Sequence, residues 1–462
     1  MDIRVRFLGG AGSVTGSKYL LEIDDFKVLI DCGLFQGGKE LRRRNWDPFP
    51  MAPAEIDAVV LTHAHIDHSG YLPLLCKNGY SGDIHCTIPT QDLLQILLTD
   101  SAKLQEEEAD YAGKKGYSKY DAPKPLYNLA DAEMVFPKLV GHHYDEPISL
   151  NADITLSFFQ AGHILGAASV RLVIHTSQGE KHIVFSGDVG PDDSPLHLAP
   201  KPPEKADILF LESTYGGQHP HMENMETKFL RLLTECDERK GCLIIPAFSL
   251  GRTQLVLYYL WKVFQLMPSR PVYVDSPMAI SVTHLYKKYE GYHRLESGDG
   301  FGHEIFDAPF VHYVKEQSRS ATLNAIKNHA VIISASGMVT GGRILHHLYH
   351  RLPRAQDTVL FSGFQPEGTR GRTILSGEKE VKIFGENVPI HARIESLDGL
   401  SAHADHDELM AWASSIQDKP KQTFLVHGEV ERSLALSQAL AQQGWNTTLP
   451  KYGEVFTLFD HV

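Results

Sequence analysis

Thr62-His-Ala-His-Ile-Asp-His68 follows directly on Asp57-Ala-Val-Val-Leu61, and the two stretches read together decide the fold. The run at 57–61 is short, apolar and β-branched, the pattern of a buried strand. His63, His65, Asp67 and His68 therefore fall at the C-terminal end of that strand and in the loop after it, where α/β folds place their chemistry. Imidazole with carboxylate suits zinc, and manganese or iron less exclusively. Four ligands so close in sequence cannot easily face one ion, because the chain must turn between them. Two adjacent ions are the natural reading, with His63 and His65 on one and Asp67 and His68 on the other. Histidine is common here, 25 in all, so a lone His-x-His would carry little weight. The Asp-His that follows at fixed spacing separates the stretch from a polar loop.

Upstream, residues 1–30 alternate strand-like runs with a Gly-rich turn, Gly9 to Gly16. This turn is not a phosphate loop, because it lacks the Gly-Lys-Ser/Thr ending and opens no apolar helix. Phe26 to Ile30 is a second strand, ended by Asp31-Cys-Gly33. Downstream, Ser69 to Asn78 and residues 91–112 read as helices, and the Lys/Gly/Pro-rich stretch from Gly113 to Pro125 as an exposed loop. Strands return at 154–159, 169–174, 182–185 and 207–211. From about residue 216, helices alternate with strands at 242–245, 272–274, 330–333 and 358–361, the alternation of a doubly wound parallel sheet. The ligand-rich style resumes near residue 399. The chain thus reads as an α/β protein in which a first domain, 1–215 with 399–462, is interrupted by an inserted α/β domain, 216–398.

Further candidate ligands recur at strand ends. His163 lies in Ala161-Gly-His-Ile-Leu-Gly166, Asp188 in Ser186-Gly-Asp188, and His427 in Leu425-Val-His-Gly428. A glycine beside each lets the backbone pass close to a metal or substrate. A carboxylate can bridge two cations, so Asp188 is the natural bridge, with His163 completing the first ion and His427 the second. Such a pair polarises a phosphoryl or carbonyl oxygen and lowers the pKa of a shared water towards neutrality. A hydrolase that breaks a P–O bond must also protonate the leaving oxygen. A histidine held by a carboxylate suits that role, and His403 in Leu400-Ser-Ala-His-Ala-Asp405 with Glu212 in Glu212-Ser-Thr-Tyr-Gly216 is the candidate pair. His346, His347 and His350 read as polar helix residues without a carboxylate, and His142-His143 as a loop pair without a partner.

Composition narrows the class. The 462 residues are 42% apolar and 22% charged, ordinary for a globular chain. No apolar run approaches the length of a membrane span, and no charged-then-apolar leader opens the chain. The five cysteines form no C-x-x-C pair, which fits a reduced thiol set and a cytoplasmic location. The net charge of −13 counts against nucleic acid unless basic residues gather locally. Arg42-Arg43-Arg44 is one such cluster and reads first as a solvated loop; Arg252, Arg343, Arg370 and Arg372, each near glycine, form a dispersed second set.

Thr62-His-Ala-His-Ile-Asp-His68, with His163, Asp188 and a distal His427, resembles the metallo-β-lactamase superfamily. Glu212-Ser-Thr-Tyr-Gly216, Ser401-Ala-His-Ala-Asp405 and Val426-His-Gly-Glu429 are similar to the three extra motifs of its β-CASP branch. So are the insert segments Pro246-Ala-Phe-Ser-Leu-Gly-Arg-Thr253, Asp275-Ser-Pro-Met-Ala279, Ser336-Gly-Met-Val-Thr-Gly-Gly-Arg343 and Gly363-Phe-Gln-Pro-Glu-Gly-Thr-Arg-Gly-Arg372. The resemblance covers nearly the whole chain. It implies an αββα metallo-β-lactamase sandwich interrupted by a doubly wound α/β β-CASP domain, with single-stranded RNA cleaved in the groove between them. It implies two zinc ions, with manganese as the alternative, on His63, His65, Asp67, His68, His163, Asp188 and His427. Asp67, His403 and Glu212 are then the catalytic set, and Asp31 matches the superfamily's first-motif aspartate. Phosphate contacts are implied for Ser336, Arg343, Ser362, Arg370, Arg372 and Ser401, and base stacking for Phe364.

The chain ends soon after His427, at Val462, so the minimal two-domain form is expected, with a homodimer through the inserted domain only by analogy. The reading is a metal-dependent ribonuclease, endonuclease favoured over 5′-exonuclease, acting in RNA processing or decay. Its rivals are a small-substrate hydrolase of the thioesterase or lactamase type, a DNA nuclease of the same branch, and a partner subunit without activity. The wide gap between Asp188 and His427 argues against the first, and the full ligand set against the last.

Overall fold

The apolar run at 57–61 forms a central strand, Ala58–Val60, with all three residues buried. It lies parallel to Phe26–Ile30 on one side and Asp83–Thr87 on the other. The sheet is completed by Ile3–Gly9, Lys18–Ile23, Leu139–His142 and the late strand Val455–Phe459, seven strands in all. A second seven-stranded sheet is built from Ile148–Ser149, Ile154–Gln160, Ala168–Thr176, Gly179–Phe185, Ile208–Glu212, Gln422–Val426 and Thr447–Thr448. The computed structural model describes residues 1–115, 124–219, 224–296, 302–363, 365, 367–397 and 399–462. They divide into one unit of Met1–Ser194, Leu198–His219 and His403–Val462, and a second of Pro195–His197 and Pro220–Ala402.

In the first unit the two sheets face each other across one apolar core. Val5, Phe7, Tyr19, Leu21, Val28 and Val60 of the first sheet meet Leu156, Phe158, Val170, Leu172, Phe185 and Phe210 of the second. Alternate residues of each strand point inward, so the period-2 pattern of the sequence becomes the sandwich interior. Phe185 and Phe210 stack with ring centroids 4.1 Å apart. Helices close the outer faces: Leu409 and Trp412 of His406–Ser414 and Leu436 and Leu440 of Val430–Gln442 pack on Leu209, Leu211 and Leu425. On the far side Ile88–Lys115 packs on Asp83–Thr87 and Leu139–His142. This is the αββα layering that the family resemblance implies. The helix runs three residues into the stretch read as a loop from Gly113; residues 116–123 of that stretch lie outside those described.

The second unit is a six-stranded sheet in the order Val311–Tyr313, Val272–Val274, Val331–Ser334, Leu243–Pro246, Thr358–Phe361, Arg393–Ser396. Every neighbouring pair is parallel. Parallel strands need crossovers, and the helices read from the sequence supply them.

Two sequence readings are corrected. His142 is not in a loop: it ends the strand Leu139–His142, and its Nε2 lies 3.0 Å from Nδ1 of His85 on the adjacent strand. His347 lies on the helix Arg343–Arg351 as read, but it does not lack a carboxylate. It is fully buried, with Nε2 2.6 Å from the Asp275 carboxylate and Nδ1 3.1 Å from Asn324 Oδ1. All five cysteines are buried free thiols, and among the described residues no helix is long and apolar enough to cross a membrane.

Burial, and then the neighbouring His142, bring His85 down to about 4. The unfolded chain, near the usual 6.5, takes up the proton first. Stability from this neutral pair is therefore complete above about pH 6.5 and is lost as pH falls toward about 4. The loss is on the order of 2 kcal/mol once solvent screening is discounted. His85→Gln is expected to flatten that part of the profile, read as urea midpoints against pH; parallel profiles for parent and variant would refute it.

Candidate functional site

The ligand stretch is built onto the end of Ala58–Val60 and turns at once into a four-residue helix, Ile66–Ser69. The loop after Phe26–Ile30 is stitched to it. Cys32 N–H donates to His68 O at 2.7 Å, Leu34 N–H to Ile66 O at 2.9 Å, and Ser17 N–H to Asp67 O at 2.9 Å. A Cβ on Gly33 would sit 1.6 Å from the Asp67 carbonyl oxygen, so only glycine permits this approach. Asp31 and His427 hold left-handed backbone, φ 56° and 46°, which non-glycine residues adopt only where surroundings fix it. For His427 the fixing bonds are its N–H to Gly10 O at 2.7 Å and Thr214 Oγ1 to its carbonyl at 3.0 Å. The Gly-rich turn at 9–16 thus serves as a backbone clamp.

Three imidazoles are oriented from behind by one nitrogen each. His68 Nδ1 lies 2.8 Å from Asp31 Oδ2, His63 Nδ1 3.0 Å from Thr62 Oγ1, and His427 Nδ1 2.8 Å from Ser17 Oγ. Thr62 in turn donates its hydroxyl and its N–H to Asp31. A ring protonated at Nδ1 in such a bond leaves an unprotonated Nε2 facing the interior, the tautomer a metal ligand needs.

Those nitrogens converge in two groups around one carboxylate. His63, His65 and His163 gather with Asp188, and Asp67, His68 and His427 gather beside them. Asp188 Oδ2 is 3.5 Å from both His63 Nε2 and His163 Nε2, while its Oδ1 is 3.3 Å from His68 Nε2 and 3.7 Å from His427 Nε2. His65 Nδ1 stands 3.1 Å from the Nε2 of both His63 and His163. His68 Nε2 and Asp188 Oδ1 are buried with no hydrogen-bond partner.

The electrostatics agree with a cation site. Burial drives His63 and His68 well below the usual imidazole value, His65 to about 3 and His427 to about 4, so the rings are neutral. Burial also pushes the carboxyls the other way: Asp67 to about 6, Asp31 to about 8 and Asp188 well up, the last reinforced by Glu212. Neutral imidazoles packed nitrogen to nitrogen around an uncompensated carboxylate leave lone pairs that protons cannot all satisfy. Divalent cations in the N/O class satisfy them, so the donor set fits the metal reading.

His403 adjoins this cluster. Its Nδ1 is 3.1 Å from Glu212 Oε1, and its Nε2 is 3.9 Å from Asp188 Oδ2. Glu212 is wholly buried at the end of Ile208–Glu212 and also accepts the N–H groups of Val189 at 2.7 Å and Thr214 at 3.2 Å. Burial alone would raise its pKa, but His403, then His427 and the Thr214 bond, outweigh it and the net shift is downward. Ala404 N–H donates to Val189 O, and Asp405 opens the next helix with a capping box to Glu408, which pins the loop carrying His403.

The residues expected to contact phosphate fall mostly in the second unit and differ in freedom. Arg343 is committed to Asp275, Val314 O and Lys315 O, and Arg370 to Lys382 O and Thr340 O. Ser362 is buried and donates to Pro246 O. Ser336 shares a 3.0 Å bond with Thr340, Arg372 is exposed, Ser401 is half-buried, and Phe364 lies outside the described residues. Ser17 and Thr62, which orient His427 and His63, are absent from the candidates that the sequence supplies. Thr62 is signalled by lying between a strand and its first ligand, whereas Ser17 carries no signal.

Three family descriptions match the chain: a metallo-beta-lactamase superfamily domain over residues 20–189, a Beta-Casp domain over 253–374, and a Zn-dependent metallo-hydrolase RNA specificity domain over 387–450. A ribonuclease of Thermus thermophilus is 38% identical over 98% of this chain and 99% of its own. The transcription termination factor FttA of Methanocaldococcus jannaschii is 32% identical over 94% of this chain and 68% of its own. Among solved structures, a protein of unknown function from Enterococcus faecalis superposes with a TM-score of 0.55 at 14% identity, covering 99% of this chain and 100% of that one, a likeness of fold alone.

Ser17→Ala removes the bond behind the His427 ring, together with a side-chain bond to Tyr19. It is expected to lower affinity for a divalent cation by about 10- to 100-fold, read by competition with a chromophoric chelator. Unchanged affinity would mean that the Gly10 and Thr214 backbone bonds suffice to orient His427.

Proposed function

The chain belongs to the β-CASP branch of the metallo-β-lactamase superfamily, and on that premise we propose that it hydrolyses RNA phosphodiester bonds at a centre of two zinc ions. The observation that carries this reading is Asp188, whose two oxygens each face a separate group of nitrogen donors. His63, His65 and His163 would hold one cation, Asp67, His68 and His427 the other, with Asp188 common to both. When bound, such cations lower the pKa of water to neutrality and offset charge growing on phosphoryl oxygens.

The chain's own groups supply the rest. Glu212 holds His403 by Nδ1, which fixes the ring and leaves Nε2 to deliver a proton to the leaving 3′-oxygen, giving a 5′-phosphate product. The carboxylate also stabilises the ring while it carries the proton, the arrangement of an oriented acid. Asp67, half-buried on the open side, orients the attacking water as well as ligating. Among the expected phosphate contacts, Arg372 is exposed, whereas Arg343, Arg370 and Ser362 are occupied within the fold. The ribonuclease name of the Thermus thermophilus relative supports RNA as substrate.

The test is a cleavage time course on 5′-labelled single-stranded RNA, with and without chelator. Chelator-sensitive internal fragments are expected; immediate release of labelled mononucleotide would instead indicate a 5′-exonuclease. His403→Ala is expected to lose about 10²- to 10⁴-fold in rate with its metal retained. Asp67→Ala is expected to lose activity and metal together. His403→Ala cleaving at the parent rate would remove the general-acid role, and intact RNA with a fully metallated protein would turn the reading to a small-substrate hydrolase.

A further inference from the structure

The chain carries a formal charge of −13, so a polyanionic substrate has to be drawn in by local groups. Lys39 to Trp46 supplies such groups in the metallo-β-lactamase unit. A short helix, Lys39–Arg43, runs into a 3₁₀ turn, Arg44–Trp46. Lys39, Arg42 and Arg43 are exposed, with Glu40 the one acidic residue among them. Among the described residues, none of these three cations makes an ion pair or a side-chain hydrogen bond. Trp46 is 62% exposed, an unusual state for the largest apolar side chain.

The segment is not a loose loop. Asn45 is buried and exchanges two 2.8 Å bonds with the backbone of Phe35. The Arg44 guanidinium lies 4.4 Å over the Tyr452 ring and 5.5 Å from that of Phe35. Phe35 in turn continues the loop from Asp31 to Leu34 that is hydrogen-bonded to Ile66 and His68. An aromatic face and two unpaired guanidiniums are thus held on the same covalent frame as the candidate ligands. Rigid placement matters here, because an exposed tryptophan on a pinned segment loses little entropy when something stacks on it. Aromatic rings and arginines together fit one kind of partner well: a single strand whose bases stack and whose phosphates pair.

We propose that Lys39–Trp46 is a docking surface for single-stranded RNA, with Trp46 stacking on a base and Arg42 and Arg43 neutralising the flanking phosphates. The proposal rests on the ribonuclease reading and extends its substrate track beyond the metal centre.

The test compares the metal-loaded parent with Trp46→Ala, Trp46→Phe and the double variant Arg42→Ala/Arg43→Ala. Cleavage of a short single-stranded RNA and of bis(p-nitrophenyl) phosphate is followed across a salt series. Trp46→Ala is expected to raise KM for RNA by between about 5- and 150-fold with kcat unchanged, and Trp46→Phe to recover most of it. The double variant is expected to flatten the logarithmic salt dependence by about 1.4, roughly 0.7 for each single-strand phosphate that is no longer neutralised. The small phosphodiester, which has no run of bases and phosphates to engage this surface, is expected to turn over at the parent rate in every variant. Parent-like KM and salt slope in Trp46→Ala and the double variant, with the parent cleaving RNA, would overturn the docking surface alone. A parent that leaves RNA intact would overturn the ribonuclease reading and this inference with it. A Trp46→Ala variant that changes only the oligomeric state would assign the surface to a second copy of the chain, also overturning the proposal.

Discussion

Asp188 is a carboxylate buried among imidazoles, with no lysine or arginine paired to it among the described residues, and the first unit is organised around that cost. An unpaired buried charge is penalised by several kcal/mol in a protein interior. Here burial and the neighbouring Glu212 both push Asp188 toward its neutral form. The surrounding histidines cannot relieve it by taking protons, because they are themselves buried and depressed. Only a positive charge at the centre resolves both halves of the problem at once. The polypeptide must therefore hold like-natured donors against one another until that charge arrives.

The holding is done from outside the ring of donors. Asp31, Thr62 and Ser17 each engage the far nitrogen of a histidine, and the backbone of 31–34 is bonded to 66–68. The sandwich beneath gives these groups a rigid base, since strands with interlocked side chains resist displacement of their ends. The ligating loops can therefore carry left-handed residues such as Asp31 and His427 without melting. Stability in the layers and strain in the loops are two parts of one arrangement.

What is legible in the sequence follows from how far apart the partners lie. His63, His65, Asp67 and His68 announce themselves because they crowd into six positions after an apolar run. The parallel insert is legible for a similar reason, since strand and helix periods are local, whereas the αββα layering comes from the family resemblance. His142 reads wrongly as a loop residue because its partner, His85, is 57 residues away on an adjacent strand. His347 reads wrongly as lacking a carboxylate because Asp275, which is buried with it, is 72 residues distant. Ser17 and His427 are separated by 410 residues, and nothing local to a serine after a Gly-rich turn foretells a histidine so far along the chain. The arginines near glycine are legible as a family pattern, yet most are consumed by carbonyls and carboxylates that only tertiary packing brings to them.

The bond from His427 N–H to the Gly10 carbonyl has a consequence for the order of assembly. It joins a turn made before the inserted unit to a loop made after it, and Gln422–Val426 must first slot beside Ile208–Glu212 to present it. A nascent chain that has emerged through the whole inserted unit still lacks this residue and its clamp. The second group of candidate donors stays incomplete throughout that interval. With its last member placed beyond the insert, that group can close only once both units have been made.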